Sequence, residues 1–210
     1  YVRFDESEVP EYSMQMYGNG LYPGYYNFKY PKAGESNSKV TVHSYSVATK
    51  DIKELKIPVE ADSYIPRITF TTNSDQLAVM TLNRQQNLFN MYYVNPKSGV
   101  SRLILRDENK CYVDSEWLTS IHFNPNGFTY VSEQDGYSHI YLYSPTGVMQ
   151  RQVTKGNWDV TRLIGYDDVA KVVYYESAEE SPLRRSVYKI DQKGVKTKLS
   201  ESEGTNSADF

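Results

Sequence analysis

A single cysteine, Cys111, stands among 210 residues, so no internal disulfide framework and no cysteine-based metal site can be built. Histidine is nearly as scarce. His43, His122 and His139 are the only three, and no two of them have the spacing of a metal-ligand pair. No Gly-x-Ser-x-Gly segment occurs, so the serines lack the strand–turn–helix setting that activates a nucleophile. No apolar run approaches the roughly 20 residues of a membrane span. The formal net charge is only −3, with both signs interspersed, which makes no electrostatic case for nucleic acid or an anionic membrane surface. The chain opens on Tyr1-Val-Arg-Phe4 without a Met. That reads as a strand already under way in a longer protein, so a missing leader says nothing about export.

What the chain does have is tyrosine, 20 of them against only 12 glycines, in short runs rich in Val, Ile and Thr that favour strands. Residues 128–160 set the pattern. A strand at 128–131, a polar loop, a strand at 139–143, the turn Ser144-Pro-Thr-Gly147 and a strand at 148–153 follow in quick succession. Pro presets such a turn and Gly supplies the positive φ that ends it. Strands this closely spaced form an antiparallel meander, which must pack against copies of itself to bury both faces.

The copies recur. The turn at Gly147 reappears in Asn95-Pro-Lys-Ser-Gly99 and Asp191-Gln-Lys-Gly194, 48 residues before and 47 after. A fainter version sits at Lys50-Asp51, where Asp51 replaces the glycine at a position that tolerates the left-handed region. Strand patterns precede each turn at 43–47, 91–94, 139–143 and 187–190, and follow it at 52–57, 100–105, 148–153 and 195–199. A period of about 40–50 residues with four strands per unit predicts a β-propeller. The fold class is therefore all-β, a propeller fragment of about four four-stranded antiparallel blades. A blade tail and long loop are expected over 1–60, blades over 64–105, 120–154 and 162–200, and the start of another at 206–210. Residues 18–39 are expected as an ordered loop packed on the blades, since Pro31 and Gly34 break a strand while clustered tyrosines oppose disorder. The loops 83–87, 133–137 and 178–185 fall at equivalent positions and should share one rim. An open arc of blades leaves apolar faces at both ends, which predicts self-association or low solubility of the isolated chain.

Chemistry is harder to place. Each histidine lies in a predicted strand, where a hydrogen-bonded structural role is the ordinary one. The acidic pairs Glu6 and Glu8, Asp167-Asp168 and Glu179-Glu180 read as solvated turns. Trp158 reads as a core or inter-blade aromatic.

Ordered motifs add a resemblance. Val131-Ser-Glu-Gln-Asp-Gly-Tyr-Ser-His-Ile-Tyr-Leu-Tyr143 with Val153-Thr-Lys-Gly-Asn-Trp-Asp-Val160 resembles the N-terminal propeller of the dipeptidyl peptidase IV branch of the prolyl oligopeptidase family. Tyr30-Pro-Lys-Ala-Gly34 with Asn37, Tyr64-Ile-Pro-Arg-Ile68, Arg84 with Gln86-Asn87, and the segment from Phe4-Asp-Glu through Glu8-Val-Pro to Tyr12-Ser follow the same order. Ser38 and Phe70 depart from it, where Pro and Trp are usual. The resemblance implies part of an eight-bladed propeller over a C-terminal α/β-hydrolase domain that carries the Ser-Asp-His triad. It also implies that the paired glutamates holding the substrate's amino terminus precede Tyr1. No catalytic, substrate-binding or metal-binding residue, and no cofactor, is assigned within this chain. The implied parent is a periplasmic or extracellular serine peptidase that removes N-terminal dipeptides after Pro or Ala. Its implied partners are the hydrolase domain, peptide substrates and a second copy in a homodimer. The competing reading is a non-catalytic propeller that binds a protein or glycan through its rim loops.

Overall fold

Seventeen β-strands and one 3-10 turn form the regular structure of residues 1–201 and 203–209, the part that the computed structural model describes. The first unit begins with β1 (Val2–Asp5), departs into β2 (Glu11–Met16) and β3 (Gly24–Lys29), and returns as β4 (Lys39–Tyr45) and β5 (Ile52–Leu55). β1, β4 and β5 make a three-stranded sheet, blade 1, while β2 and β3 pair only with each other. Blade 2 is the meander β6 (Tyr64–Phe70), β7 (Leu77–Leu82), β8 (Leu88–Val94) and β9 (Ser101–Glu108). The 3-10 turn Ser115–Thr119, capped by the Asp114 carboxylate on the Glu116 amide, leads into blade 3. Blade 3 comprises β10 (His122–Asn124), β11 (Gly127–Ser132), β12 (His139–Tyr143) and β13 (Met149–Gln152). Blade 4 comprises β14 (Val160–Asp167), β15 (Val172–Ser177), β16 (Ser186–Ile190) and β17 (Lys196–Lys198). The chain is a propeller fragment.

Two expectations are corrected. Residues 18–39 are not a loop laid on the blades. β3 fits between Pro23 and Pro31, pairs with β2 from Glu11↔Lys29 to Met16↔Gly24, and forms a hairpin whose side chains are largely exposed. Proline bounded the strand rather than preventing it. At the first turn, Lys50 and not Asp51 takes the left-handed conformation, with φ 62°. The turn holds Lys50 in that conformation through two backbone hydrogen bonds, from the Lys50 amide to the Ser46 carbonyl at 2.7 Å and from the Ser46 amide to the Asp51 carbonyl at 3.0 Å. At the other end, residues 206–209 form no strand, and Thr205 makes an isolated parallel bridge to Arg185. Phe210, the last residue of the predicted further blade, lies outside the described residues.

Burial follows from the stacking of blades. The second strands β7 and β11 are buried at every position, because each is sandwiched between a neighbouring blade on either face. The outermost strand β17 is exposed throughout. Apolar clusters sit at the junctions. Val42 and Leu55 of blade 1 meet Leu77, Val79 and Val94 of blade 2. Met91 and Tyr93 meet Phe128, Tyr130 and Tyr143, and Ile140 meets Leu163, Val173 and Tyr175. Stacked rings add to this: Phe128 on Tyr143 at 5.1 Å and Phe89 on Tyr130 at 5.6 Å, each pair contributing about 0.5–1.5 kcal/mol beyond area burial.

The recurring turns are part of the same packing. Gly147 has φ +87°, and a Cβ there would lie 1.9 Å from the carbonyl oxygen of Ile104 in blade 2. Two cations clip blades together at this end. Lys53 Nζ donates to the Lys97 and Ser98 carbonyls at 2.8 and 2.9 Å. Arg151 Nη1 donates to the Asp191 and Gln192 carbonyls at 3.2 and 2.6 Å.

Candidate functional surfaces

The meanders give the fragment two unlike ends. One carries the turns between first and second strands and between third and fourth strands. The other carries the second-to-third strand loops 83–87, 133–138 and 178–185 with the inter-blade connections 56–63, 109–121 and 153–159. The three loops do share this second rim, and each is held by polar contacts, within the loop or to a neighbouring segment. Asn83 Oδ1 accepts from the amides of Asn87 and Leu88, both at 3.0 Å. Asp159 Oδ1 accepts from the Ser138 amide at 2.8 Å. Lys198 Nζ donates to Glu180 Oε1 at 2.8 Å, and Lys196 pairs with Glu179.

One or both members of each acidic pair singled out by the sequence are engaged with a cation, while Asp167 instead accepts from the Val169 and Ala170 amides, both at 2.9 Å. Glu8 pairs with Lys39 at 2.9 Å and Asp168 with Lys171 at 2.8 Å. The hydrogen bond from Lys171, then one from Asn126, holds the Asp168 carboxyl below its ordinary pKa. For Glu180 the hydrogen bond from Lys198 does the same. Among the described residues no three of His, Cys, Asp and Glu converge as a metal-holding group.

The histidines occupy three different settings. His43 in β4 has Nε2 2.9 Å from Thr41 Oγ1. His122 opens β10 on the exposed side of a recess of about 380 Å³ lined by Glu116, Trp117, Ser120 and Arg162, and the partial desolvation it meets there lowers its pKa. His139 is fully buried, with Nδ1 3.0 Å from Thr154 Oγ1 and Nε2 3.0 Å from the Gly156 carbonyl. A carbonyl only accepts, so Nε2 carries the proton and Nδ1 accepts from Thr154. Thr154 Oγ1 in turn accepts from the Ile140 amide at 3.0 Å. Trp158 stands edge-on to His139 at 5.0 Å, packs against the blade 3–blade 4 core and lies under Lys196. The Thr-Lys-Gly-Asn-Trp-Asp motif is thus a hydrogen-bonded corner between two blades.

A larger opening lies at the first rim. The register makes Ser44, Tyr93 and Leu142 equivalent, each one residue before the last paired position of a third strand. Tyr93 fills its junction against Phe123 of the next blade at 6.1 Å. Leu142 and Tyr166 leave a cavity of about 240 Å³. Ser44 leaves a cleft of about 770 Å³ in front of Phe70, which is 61% exposed.

Against known proteins, residues 1–210 match the family described as "Dipeptidyl peptidase IV (DPP IV) N-terminal region". The chain belongs to the dipeptidyl peptidase IV N-terminal family. Among solved structures, the crystal structure of Porphyromonas gingivalis dipeptidyl peptidase 4 superposes with a TM-score of 0.94 at 60% identity, covering 100% of this chain and 30% of that one. A putative dipeptidyl aminopeptidase IV from Bacteroides ovatus shares the fold, with a TM-score of 0.77 at 24% identity over 93% of this chain. Dipeptidyl peptidase 4 of Trichophyton rubrum is 30% identical over 204 residues, 90% of this chain and 26% of that protein. This member of the dipeptidyl peptidase IV N-terminal family therefore spans about a quarter to a third of the proteins it matches.

The surface that sequence reasoning missed in this family member is the β2–β3 hairpin. It exposes Tyr17, Leu21, Tyr22, Tyr25 and Tyr26. Its signal was present, a six-residue Tyr/Phe-rich run framed by Pro23-Gly24 and Pro31. The structure also brings together motifs that the sequence left separate. Arg84 Nη2 donates to the Glu35 carbonyl at 3.1 Å, joining the blade 2 loop to the segment that follows Tyr30-Pro-Lys-Ala-Gly34.

Proposed function

We propose that this chain is the propeller portion of a serine exopeptidase that removes dipeptides from peptide N-termini, preferentially after Pro or Ala. The observation that carries this reading is the family match over all 210 residues, supported by likeness to a solved dipeptidyl peptidase 4 at 60% identity. In this reading the nucleophile belongs to an α/β-hydrolase domain elsewhere in the protein. The propeller walls the cavity, limits entry to short or unfolded peptides and presents the loop-bearing rim to the hydrolase domain. Export to the periplasm or the cell exterior completes the proposal, and fractionation of the source cells tests it.

The experiment is hydrolysis of Gly-Pro and Ala-Pro chromogenic amides by the intact parent protein and by this chain alone. The parent should turn them over and lose activity to a serine-directed reagent, whereas the chain alone should be inert. Turnover by the purified chain, or a parent inert on both substrates, would overturn the proposal.

The hairpin favours assembly as a homodimer. Leu21 is 97% exposed and Tyr22 88%, and large apolar side chains left exposed together mark a contact surface. Sedimentation of the parent with residues 17–24 replaced by a short turn tests it, the expected result being a weakened dimer.

A further inference from the structure

The hairpin β2–β3 leaves blade 1 on two connecting strands. The contacts at its base, the packed rings of Tyr12, Phe28 and Tyr30 and the bond from Lys29 Nζ to the Val9 carbonyl at 2.9 Å, lie within the hairpin and its root rather than with blade 2. Its descending limb passes Tyr30, whose amide donates to the Pro10 carbonyl at 3.0 Å, into a turn at residues 31–34 where Gly34 has φ +84°. Glu35 closes that turn twice. Its amide donates to the Lys32 carbonyl at 3.0 Å, and its carboxylate accepts from the Lys32 amide at 2.8 Å. The Glu35 carbonyl is then left to accept from Arg84 Nη2.

Arg84 is itself firmly set. It lies in the second-to-third strand loop of blade 2, which Asn83 pins through three hydrogen bonds to Asn87 and Leu88. Its other terminal nitrogen, Nη1, is buried without a hydrogen bond and faces Asp62 Oδ1 at 3.9 Å, in the connection between blades 1 and 2. Gln86 holds a positive φ of 57°, a conformation that a glutamine keeps only where surrounding contacts impose it. One half-buried guanidinium thus joins the hairpin root, the inter-blade connection and a blade 2 loop. A planar fork can serve acceptors in two directions at once, which a lysine ammonium on a flexible stem does not reproduce.

We propose that Arg84 is a positioning residue for the hairpin: it fixes the hairpin root to blade 2, and so sets the direction in which the aromatic face meets a second copy of the chain. The second half rests on the homodimer reading above; the first does not.

Hydrogen exchange on the full-length parent protein tests the first half, comparing wild type with Arg84→Ala and Arg84→Lys. A hydrogen bond from a charged donor is among the stronger ones, so Arg84→Ala should speed exchange across residues 30–38 about tenfold or more. Arg84→Lys should not restore protection. The β7 and β8 amides should be unchanged in both variants, showing that blade 2 stays folded. Unchanged exchange at 30–38 in Arg84→Ala, or full rescue by lysine, would overturn the assignment. Sedimentation of the same variants tests the second half, with the hairpin-tip replacement as reference. If the tip replacement weakens the dimer and Arg84→Ala does not, the positioning claim fails. If the tip replacement leaves the dimer intact, the homodimer reading is what fails, and faster exchange at 30–38 still supports the clasp.

Discussion

Tyr130 of blade 3 donates its phenolic proton to Asp107 Oδ2 of blade 2 at 3.0 Å, and Ser132 donates to the same oxygen at 2.7 Å. Tyr130 is almost fully buried, so this is a polar tie inside an otherwise apolar junction. A hydrogen bond to a charged acceptor is worth about 1.5–3 kcal/mol, and a buried donor left unpaired costs about 1–3 kcal/mol. Asp107→Ala strands two donors and should lower stability by about 2–4 kcal/mol on that basis. Tyr130→Phe strands none, because Ser132 still serves the carboxylate, and should cost less. Denaturant unfolding of both variants decides it. Losses near zero in both variants would mean that the tie adds nothing beyond packing.

The same tyrosines predict how the fold responds to alkali. Burial, followed by the Asp107 charge, raises the Tyr130 pKa well above its ordinary value. Burial pushes Tyr93 and Tyr141 up to about 12. A tyrosine in the unfolded chain ionises near pH 10. Above that pH the unfolded state holds fewer protons than the native state, so stability falls as pH rises, and below it these groups contribute no slope. The melting temperature should therefore be insensitive to these groups from pH 7 to 9 and drop between about pH 10 and 12. Tyr141→Phe should make that drop shallower. An unchanged slope in this variant would remove burial of the phenol as its cause.

Turn glycines that look alike in sequence should differ sharply in cost. Gly99 and Gly147 have φ +80° and +87°, so alanine at either site pays the left-handed penalty of about 1–2 kcal/mol. At Gly99 the new Cβ would meet only the flexible end of Lys53 at 3.5 Å, whereas at Gly147 it would run into the Ile104 carbonyl. Gly147→Ala should therefore exceed about 4 kcal/mol, the range reserved for severe core disruption. Comparable melting temperatures for the two variants would show that blade 2 yields at Ile104.

Much of the fold was legible because its signals are local. Gly99, Gly147 and Gly194 announce their turns through residue type, and the strands between them alternate as half-buried strands must. Lys50 shows where that logic stops. Nothing in a lysine's chemistry asks for positive φ, so the first turn could be located only by its spacing. The hairpin was hidden differently: Pro31 and Gly34 argued against a strand only under the assumption that it had to cross them. The surfaces were least legible. Arg84 and Glu35 are 49 residues apart, and their contact exists because two blades place their loops side by side. Likewise, the Ser44 cleft is visible only after register aligns that serine with Tyr93 and Leu142.

The corner at His139 gives the most demanding prediction. Thr154 Oγ1 accepts from the Ile140 amide and donates to His139 Nδ1, while His139 Nε2 donates to the Gly156 carbonyl. Thr154→Val keeps the shape and removes both hydroxyl bonds, leaving a buried amide and a buried ring nitrogen unpaired. At about 1–3 kcal/mol for each of the two stranded groups, the loss should be about 2–6 kcal/mol. Thr154→Ser keeps the hydroxyl and should cost far less, about the value of one methyl group, ~1 kcal/mol. The nitrogen chemical shifts of the His139 ring supply an independent check, since the network requires the Nε2–H tautomer. Gly156 enters the same argument through its φ of +145°, where any Cβ would strike the Trp158 indole. Gly156→Ala must therefore displace the ring that stands edge-on to His139, and it should broaden the His139 resonances as well as lower stability. If Thr154→Val is tolerated within about 0.5 kcal/mol, as an ordinary surface change would be, or if His139 carries its proton on Nδ1, the hydrogen-bonded corner is wrongly drawn. The motif would then hold its blades together by packing alone.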